Sequence, residues 1–271
     1  MTMSAIFFLD EVQNVDEWPL VLRRILDTKN IKIYVTGSSA KLLSKEIATS
    51  LPGRSLSIEI FPYNYLEYLS AHHLNPPLKP FGQKALDYHR NYLLEYFRSG
   101  GFPGIQLMPQ NERLEALQGY VETVIFRDII KRYQISNITL MQHFISFLLK
   151  NIASPFSVNK FYNDIKSQGH KAGKDTLYSY LDYLEDAFLI FTVPIFTESL
   201  RHRQTTPKKI YAVDNGLVLA NTLNLSDNLG KLLEIRFISI YVDKERKSST
   251  IKLQMVTRKI LLRKIHKVNT K

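Results

Sequence analysis

The chain has 271 residues, of which 45% are hydrophobic, and a formal net charge of +11. This length suits two or three domains, and the composition is typical of a globular protein rather than of a disordered one. The longest uncharged apolar stretch, residues 187–196, is about half as long as a membrane-spanning helix, and neither cysteines nor a signal-peptide pattern are present, so we predict a cytoplasmic protein without a membrane span.

The first part of the chain alternates predicted strands and helices. Residues 5–9 form a short apolar run without alternation, which is typical of a buried strand, and helical spacing follows over residues 18–26. A second strand is predicted at 31–39, a helix at 40–48 and a third strand at 56–61. The alternation predicts right-handed crossovers on a parallel sheet.

Polar residues lie where the first two strands end. Asp10 and Glu11 follow the first strand, while Thr36, Ser38 and Ser39 end the second. Parallel sheets bind ligands at the carboxyl ends of their strands. One carboxylate there can hold Mg²⁺ through water, its neighbour can polarise an attacking water, and the hydroxyl groups can sense a phosphate. The alternatives are an ordinary strand end that meets solvent and a polar turn without function.

The rest of a phosphate site is harder to find. Arg54, in the segment LPGRS, is a candidate arginine finger for the same or a neighbouring subunit, with a surface arginine as the alternative. No G-x-x-x-x-G-K-[ST] segment occurs, so nothing supplies the amides and the lysine that hold β- and γ-phosphates. We therefore expect that the chain by itself does not bind ATP in the usual way.

Beyond residue 63 the pattern turns helical. Two short helices at 157–169 and 174–190, joined by a turn of small residues, precede strands at 190–197 and 208–213. This order predicts a winged helix, in which the second helix can enter a DNA groove. Lys171, Lys174 and Tyr178 are then candidate DNA contacts. A purely structural connector is the alternative.

The basic character of the chain is concentrated at its end. Residues 235–271 hold 11 Lys+Arg against 2 Asp+Glu, a net of +9, whereas the preceding 234 residues hold 25 against 23, a net of +2. Such a run is either a solvated, unstructured end or an arm that binds nucleic acid.

Seven segments together carry a family resemblance. They are IFFLDEVQNVDEWPLVLRRILD, KIYVTGSSAKLL, LPGRSLSIEIFPYNYLEYL, GGFPGI, TVIFRDIIKRYQI, TLYSYLDYLEDAFLIF and KKIYAVDNGL. In this order they resemble the prokaryotic ATPases that pair an AAA-type nucleotide-binding domain with a DUF4143 C-terminal region. The resemblance covers about residues 5–234.

The resemblance implies roles for the polar strand ends. FFLDE corresponds to the Walker B strand, with Asp10 toward Mg²⁺ and Glu11 as the catalytic carboxylate, and TGSS (Thr36, Ser38, Ser39) corresponds to the sensor strand. ATP and Mg²⁺ are the cofactors of the family, and the resemblance is also compatible with a homo-oligomer of its intact members. The family's Walker A segment has no counterpart here, so the chain is expected to be an N-terminally truncated fragment that does not bind or hydrolyse ATP alone. The alternative is a winged-helix DNA-binding module without enzymatic activity.

The predicted fold class is α/β: a partial parallel sheet of a P-loop NTPase, then a mainly α winged-helix region, then the truncated α/β start of a restriction-endonuclease-like domain. The predicted ranges are 1–70 for the nucleotide-binding part, 71–110 for a helical lid or linker, 111–205 for the helical and winged-helix region, 206–234 for the nuclease-like start and 235–271 for the basic tail. A sheet without its first strand–helix unit exposes an edge and an apolar face, so we expect low stability or aggregation.

The end of the chain departs from the family pattern. After NLGKLLE, family members continue with a pattern like N-x-V-[FY]-x-x-L-R-R and then [IV]-[FY]-Y-Y-K-T, whereas this chain reads IRFISIYVDKERK. Loss of one base near the codon for Glu234 would reconcile the two, because the shifted codons of Ser248 to Leu253 can encode F-Y-Y-K-T. We therefore predict that residues 235–271 are an out-of-frame translation.

Overall fold

The computed structural model describes residues 5–28, 31–38, 49, 51–56, 58–75, 82–194, 207–222 and 228–247, with side chains of the last helix up to residue 239. Helices predominate, and the strands form two small sheets. The helices are Trp18–Thr28 (α1), Tyr65–Ala71 (α2), Gln83–Ser99 (α3), Gln110–Thr123 (α4), Ile138–Lys150 (α5), Val158–Ser167 (α6), Lys174–Asp186 (α7), Asn215–Asn221 (α8) and Leu229–Lys247 (α9), with a π-helix at Val124–Lys131. The strands are Ile6–Leu9 (β1), Lys32–Val35 (β2), Pro155–Phe156 (β3), Ile190–Pro194 (β4) and Lys208–Ala212 (β5).

The first sheet confirms the predicted parallel pairing. Strands β1 and β2 run parallel in a register that places Phe8 opposite Tyr34, and α1 connects them. The expectation of a buried first strand is wrong, because all four side chains of β1 are exposed and Phe8 is 77% exposed. A parallel strand becomes buried only when layers cover both faces and other strands flank it. In the described part of the chain, β1 has β2 as its neighbour and little cover.

The predicted third strand is also wrong for the residues that can be described. Residues 56 and 58–61 have no strand structure, and the alternating apolar side chains Leu56, Ile58 and Ile60 are exposed, Ile60 at 93%. A strand exists where its backbone groups find ladder partners, and the ladder described for the first sheet joins β1 to β2 alone. The predicted helix at 40–48 lies outside the described residues.

Two hydrophobic cores are separate. The small one packs α1 against the loop after β1, through Val12, Trp18, Leu22 and Leu51. The large one joins α2 to α9 and the second sheet; its most deeply buried members include Ile105, Leu117, Ile129, Met141, Phe144, Phe161, Leu177, Ile210 and Val218. The stability of the chain therefore resides mainly in its helical part, because burial of apolar area is the dominant favourable term in folding.

The second sheet is antiparallel and has the order β3-β5-β4. Helices α6 and α7 lie between β3 and β4 in the chain, which confirms the predicted helix pair and strands. Helix α6 ends before Gly169, whose φ of +85° suits glycine. Strand β5 falls within the predicted range 206–234 yet pairs with β4, so the boundary predicted at 205 lies between two strands of one sheet.

Helix α9 continues through residue 235, at which the basic tail was predicted to begin. Arg236 is buried in this helix and forms an ion pair of 2.5 Å with Asp214, and its guanidinium lies 4.3 Å from the ring centroid of Tyr96. The carboxylate of Asp214 also accepts hydrogen bonds from the backbone N–H of Gly101 and Gly216, both at 2.7 Å. The beginning of the basic segment thus helps to close the large core, while its out-of-frame origin stays a prediction.

No helix in the described part of the chain is long and apolar enough to cross a membrane.

Replacing Asp214 by Asn should destabilise the protein by about 3–5 kcal/mol, because it leaves the buried Arg236 guanidinium without a counter-charge. Urea unfolding measures this difference. The matched control is Asp27→Asn, which breaks the exposed ion pair with Arg54 and should cost about 0–1 kcal/mol. Equal effects of the two substitutions would contradict the importance of the buried pair.

The exposed apolar side chains of the first sheet and of residues 56, 58 and 60 should cause self-association. We expect Phe8→Ser and Ile60→Ser each to reduce aggregation, measured by light scattering at equal protein concentration, because both remove exposed apolar surface. Leu107→Ser is the control, since Leu107 is also highly exposed but lies outside this part of the molecule. Equal aggregation of all three variants and the parent chain would contradict self-association through these side chains.

Candidate functional site

The carboxyl ends of β1 and β2 bring three of the predicted residues together. The hydroxyl group of Thr36 donates a hydrogen bond to the carboxylate of Asp10, and the backbone N–H of Glu11 points at the same hydroxyl at 3.4 Å. The backbone continues the ladder beyond the strands, because Thr36 donates to Leu9 at 2.9 Å and accepts from Val12 at 3.2 Å. Parallel pairing therefore fixes Asp10, Glu11 and Thr36 at one edge.

Glu11 is held in an unusual backbone conformation. Its φ of 49° lies in the left-handed region, which non-glycine residues adopt rarely and often at functional sites. Gln13 donates from its amide to one carboxylate oxygen of Glu11, and Arg127 forms an ion pair of 3.3 Å with the other. Both oxygens of the carboxylate are therefore engaged.

Ser38 connects the sheet edge to the π-helix. Its hydroxyl donates to Asp128 at 3.1 Å and accepts from Arg132 at 3.1 Å. Asp128 is only 3% exposed and also accepts from Arg127 at 2.9 and 3.3 Å. The hydrogen bonding of Arg127 to Asp128, together with the charges of Glu11 and Asp10, raises the pKa of the Arg127 guanidinium above its ordinary value.

Sequence reasoning missed Arg127, Asp128 and Arg132 as site residues, although the segment TVIFRDIIKRYQI was noted for its resemblance. A usable signal was present. Asp128 follows Val121 and Ile125 at spacings of seven and three, which places its carboxylate on the same helical face as two apolar side chains. A buried charge needs partners, so Asp128 had to meet cations or donors from elsewhere in the fold.

The other predicted phosphate-site residues are Arg54 and Ser39. Arg54 pairs with Asp27, which lies in the last turn of α1, and both side chains are largely exposed. A crossover helix ends near the amino edge of its sheet, so this pair lies away from Asp10 and Glu11. Ser39 lies outside the described residues.

The donor set at the edge fits a hard divalent cation better than it fits a nucleotide. Carboxylates and hydroxyls are the oxygen ligands that Mg²⁺ prefers. Among the described residues, no group of three or more His, Cys, Asp or Glu side chains could enclose a metal, so water or a phosphate would have to complete the shell. Two buried polar atoms beside the edge, Arg132 Nη1 and Gln13 Oε1, have no hydrogen-bond partner. The described loops at the edge offer no glycine-rich cradle for a triphosphate.

The candidate DNA contacts surround the turn between α6 and α7. Lys174 lies 5.2 Å from the ring centroid of Tyr162, and Lys166 lies 5.8 Å from it. Lys171 and Tyr178 are exposed. The ion pairs found in the described part of the chain include none of these lysines, so their charges are available to an anionic partner.

Comparison with protein families assigns both parts of the chain. Residues 2–69 match the model described as AAA domain, which supports an AAA-type, ATPase-like origin of the first part. Residues 90–228, slightly more than half of the chain, match the domain of unknown function DUF8612. The chain therefore belongs to the DUF8612 family. The model that matches is DUF8612, whereas the resemblance pointed to DUF4143, which stays a prediction.

Two curated relatives of the chain are named only as uncharacterized proteins. Uncharacterized protein MJ1544 of Methanocaldococcus jannaschii is 36% identical over 228 residues, which are 84% of this chain and 50% of the relative. An uncharacterized protein of Haemophilus influenzae is 29% identical over 211 residues, or 78% of this chain and 51% of the relative. The chain thus spans about half the length of these relatives.

Proposed function

We propose that the chain contributes the metal-binding and water-orienting half of a nucleoside-triphosphate site of the AAA type. The observation that carries this proposal is the hydrogen bond between Thr36 and Asp10 across two parallel strands, with Glu11 next to it in a left-handed conformation. The match of residues 2–69 to an AAA domain supports the same conclusion. Because the sequence contains no G-x-x-x-x-G-K-[ST] segment, the phosphate cradle has to come from residues outside these 271.

The residues of the edge have distinct roles in this proposal. Asp10 would hold Mg²⁺, and Thr36 fixes the orientation of the Asp10 carboxylate by its hydrogen bond. Bound Mg²⁺ would supply electrostatic stabilisation of negative charge at a phosphate. Glu11 orients and polarises a water molecule, because its carboxylate can accept a hydrogen bond from that water. Ser38 lies beyond the end of the neighbouring strand β2, and its hydroxyl donates a hydrogen bond to Asp128.

The half-site should bind a divalent cation through Asp10 and should not hold ATP tightly. We expect weak Mn²⁺ binding, measured by electron paramagnetic resonance, to fall about tenfold or more in Asp10→Asn, because a principal carboxylate ligand is lost. Asp175→Asn, which changes an exposed carboxylate on α7, is the control and should leave Mn²⁺ binding unchanged. Micromolar ATP affinity or ATP turnover by the purified chain would contradict the need for an external cradle.

A second candidate function is nucleic-acid binding through a winged helix. The order β3, α6, α7, β4, β5 with the sheet arranged as β3-β5-β4 supports this fold, because a helix pair followed by a two-stranded wing has this connectivity. The turn between the helices carries Lys166, Lys171 and Lys174 without carboxylate partners in the described part of the chain. The exposed face of α7 also carries Asp175 and Asp182, so we propose contact with phosphates through the turn more than base reading by the helix.

Loss of a lysine from the turn should weaken DNA binding uniformly across sequences. We expect Lys171→Ala and Lys174→Ala each to reduce the slope of log K against log salt concentration by about 0.9, because each removes one phosphate contact. Fluorescence anisotropy at several salt concentrations measures the slope. Lys84→Ala, at an exposed position of α3, is the control.

The same experiment separates the turn from the basic end of the chain. A chain ending at Lys247 keeps the buried Ile235 and Arg236 and removes most of the basic charge that follows. DNA affinity that survives both lysine substitutions and disappears on truncation would belong to the tail and would contradict a winged-helix contact.

A further inference from the structure

The guanidinium group of Arg127 contacts one carboxylate of the π-helix and one carboxylate of the sheet edge. Arg127 donates from Nε to Asp128 at 2.9 Å and from Nη2 to the second oxygen of Asp128 at 3.3 Å. The same Nη2 lies 3.3 Å from Oε1 of Glu11. Asp128 therefore fixes the plane of the guanidinium, and the fixed plane points a nitrogen at the carboxylate proposed to orient water.

Each carboxylate oxygen of Glu11 already has one donor in this arrangement. Arg127 engages Oε1, and the amide of Gln13 donates to Oε2. A carboxylate that orients a water molecule needs an oxygen available to accept from that water. Each oxygen keeps a second lone pair for a water molecule, so Arg127 controls the orientation of the Glu11 carboxylate rather than its capacity to accept. Arg127 belongs to a different part of the chain from the strand that precedes Glu11.

The charges at the edge balance almost completely without a metal. Asp10, Glu11 and Asp128 contribute three negative charges, and Arg127 and Arg132 contribute two positive ones. A dication beside Asp10 would repel the guanidinium of Arg127 and compete with it for Glu11. Binding of the metal and pairing of Arg127 with Glu11 then oppose each other, and thermodynamic linkage makes the opposition reciprocal.

We propose that Arg127 is a positioning residue for Glu11: it acts as an internal counter-ion that holds the glutamate against the π-helix and gives it up when a divalent cation occupies the edge. The inference rests on the proposed metal-binding half-site and adds a regulatory link from that edge to the helical part of the chain. Through Asp128 and Ser38, occupation of the edge changes the contact between the sheet and the π-helix. π-Helical segments recur at functional sites.

Affinity for Mn²⁺ alone, measured by electron paramagnetic resonance on the full chain, tests this competition. Arg127→Met should bind Mn²⁺ about two- to fivefold more tightly than the parent chain, because a competing half-exposed positive charge is removed. Arg127→Lys keeps the charge and should restore affinity close to that of the parent. Arg54→Met removes an arginine that pairs with Asp27 elsewhere and should change nothing.

The outcomes distinguish this inference from the proposed function. Equal Mn²⁺ affinity of Arg127→Met and the parent chain would overturn the inference and leave the half-site intact. Absence of Mn²⁺ binding from both proteins would overturn the half-site. In that case the pairing is tested by the free energies of unfolding of Glu11→Gln, Arg127→Met and the double variant. Non-additive changes support Arg127 as the partner of Glu11, and additive changes overturn this role.

Discussion

The buried carboxylate of Asp128 is the constraint on which the relation between the two parts of the molecule depends. A charge that is 3% exposed in a helical core needs compensation, and it obtains it from Arg127, from the hydroxyl of Ser38 and from the nearby Arg132. Because Ser38 lies three residues beyond the end of β2, satisfying this one charge holds the sheet edge against the π-helix. The acidic pair at the end of β1 then lies within reach of Arg127.

This arrangement gives the edge a double character. In the proposed function its carboxylates are ligands for a cation, whereas in the structure Asp10 accepts from Thr36 and Glu11 pairs with Arg127 of the helical part. Because Glu11 takes part in both, the proposed binding of a cation and the pairing with Arg127 weaken each other by the same coupling free energy.

The helical part and the first sheet also differ in how completely their charged and apolar side chains are buried. In the helical part, the carboxylate of Asp214 has three donors, and Gly100, with a φ of +81°, lets the chain pass where a Cβ would collide with that carboxylate. In the first sheet, by contrast, Phe8 and Tyr34 stack at 5.2 Å while remaining exposed. Strand length and apolar composition alone gave no sign of this difference, because they describe what a strand can bury and not what covers it.

By itself, the sequence determined the local elements: the β1–α1–β2 unit, the helix pair α6–α7, the strands β4 and β5, and the presence of Asp10, Glu11 and Thr36 at one sheet edge. These follow from periodicity and from the parallel pairing of consecutive strands, which are short-range rules. Only the tertiary structure decided that the described residues 56 and 58–61 have no strand structure, that Arg54 pairs with Asp27, and that Arg127 meets Glu11. Those outcomes depend on contacts between residues far apart in the chain, and buried charge selects such contacts by the partners available in space rather than by spacing along the sequence.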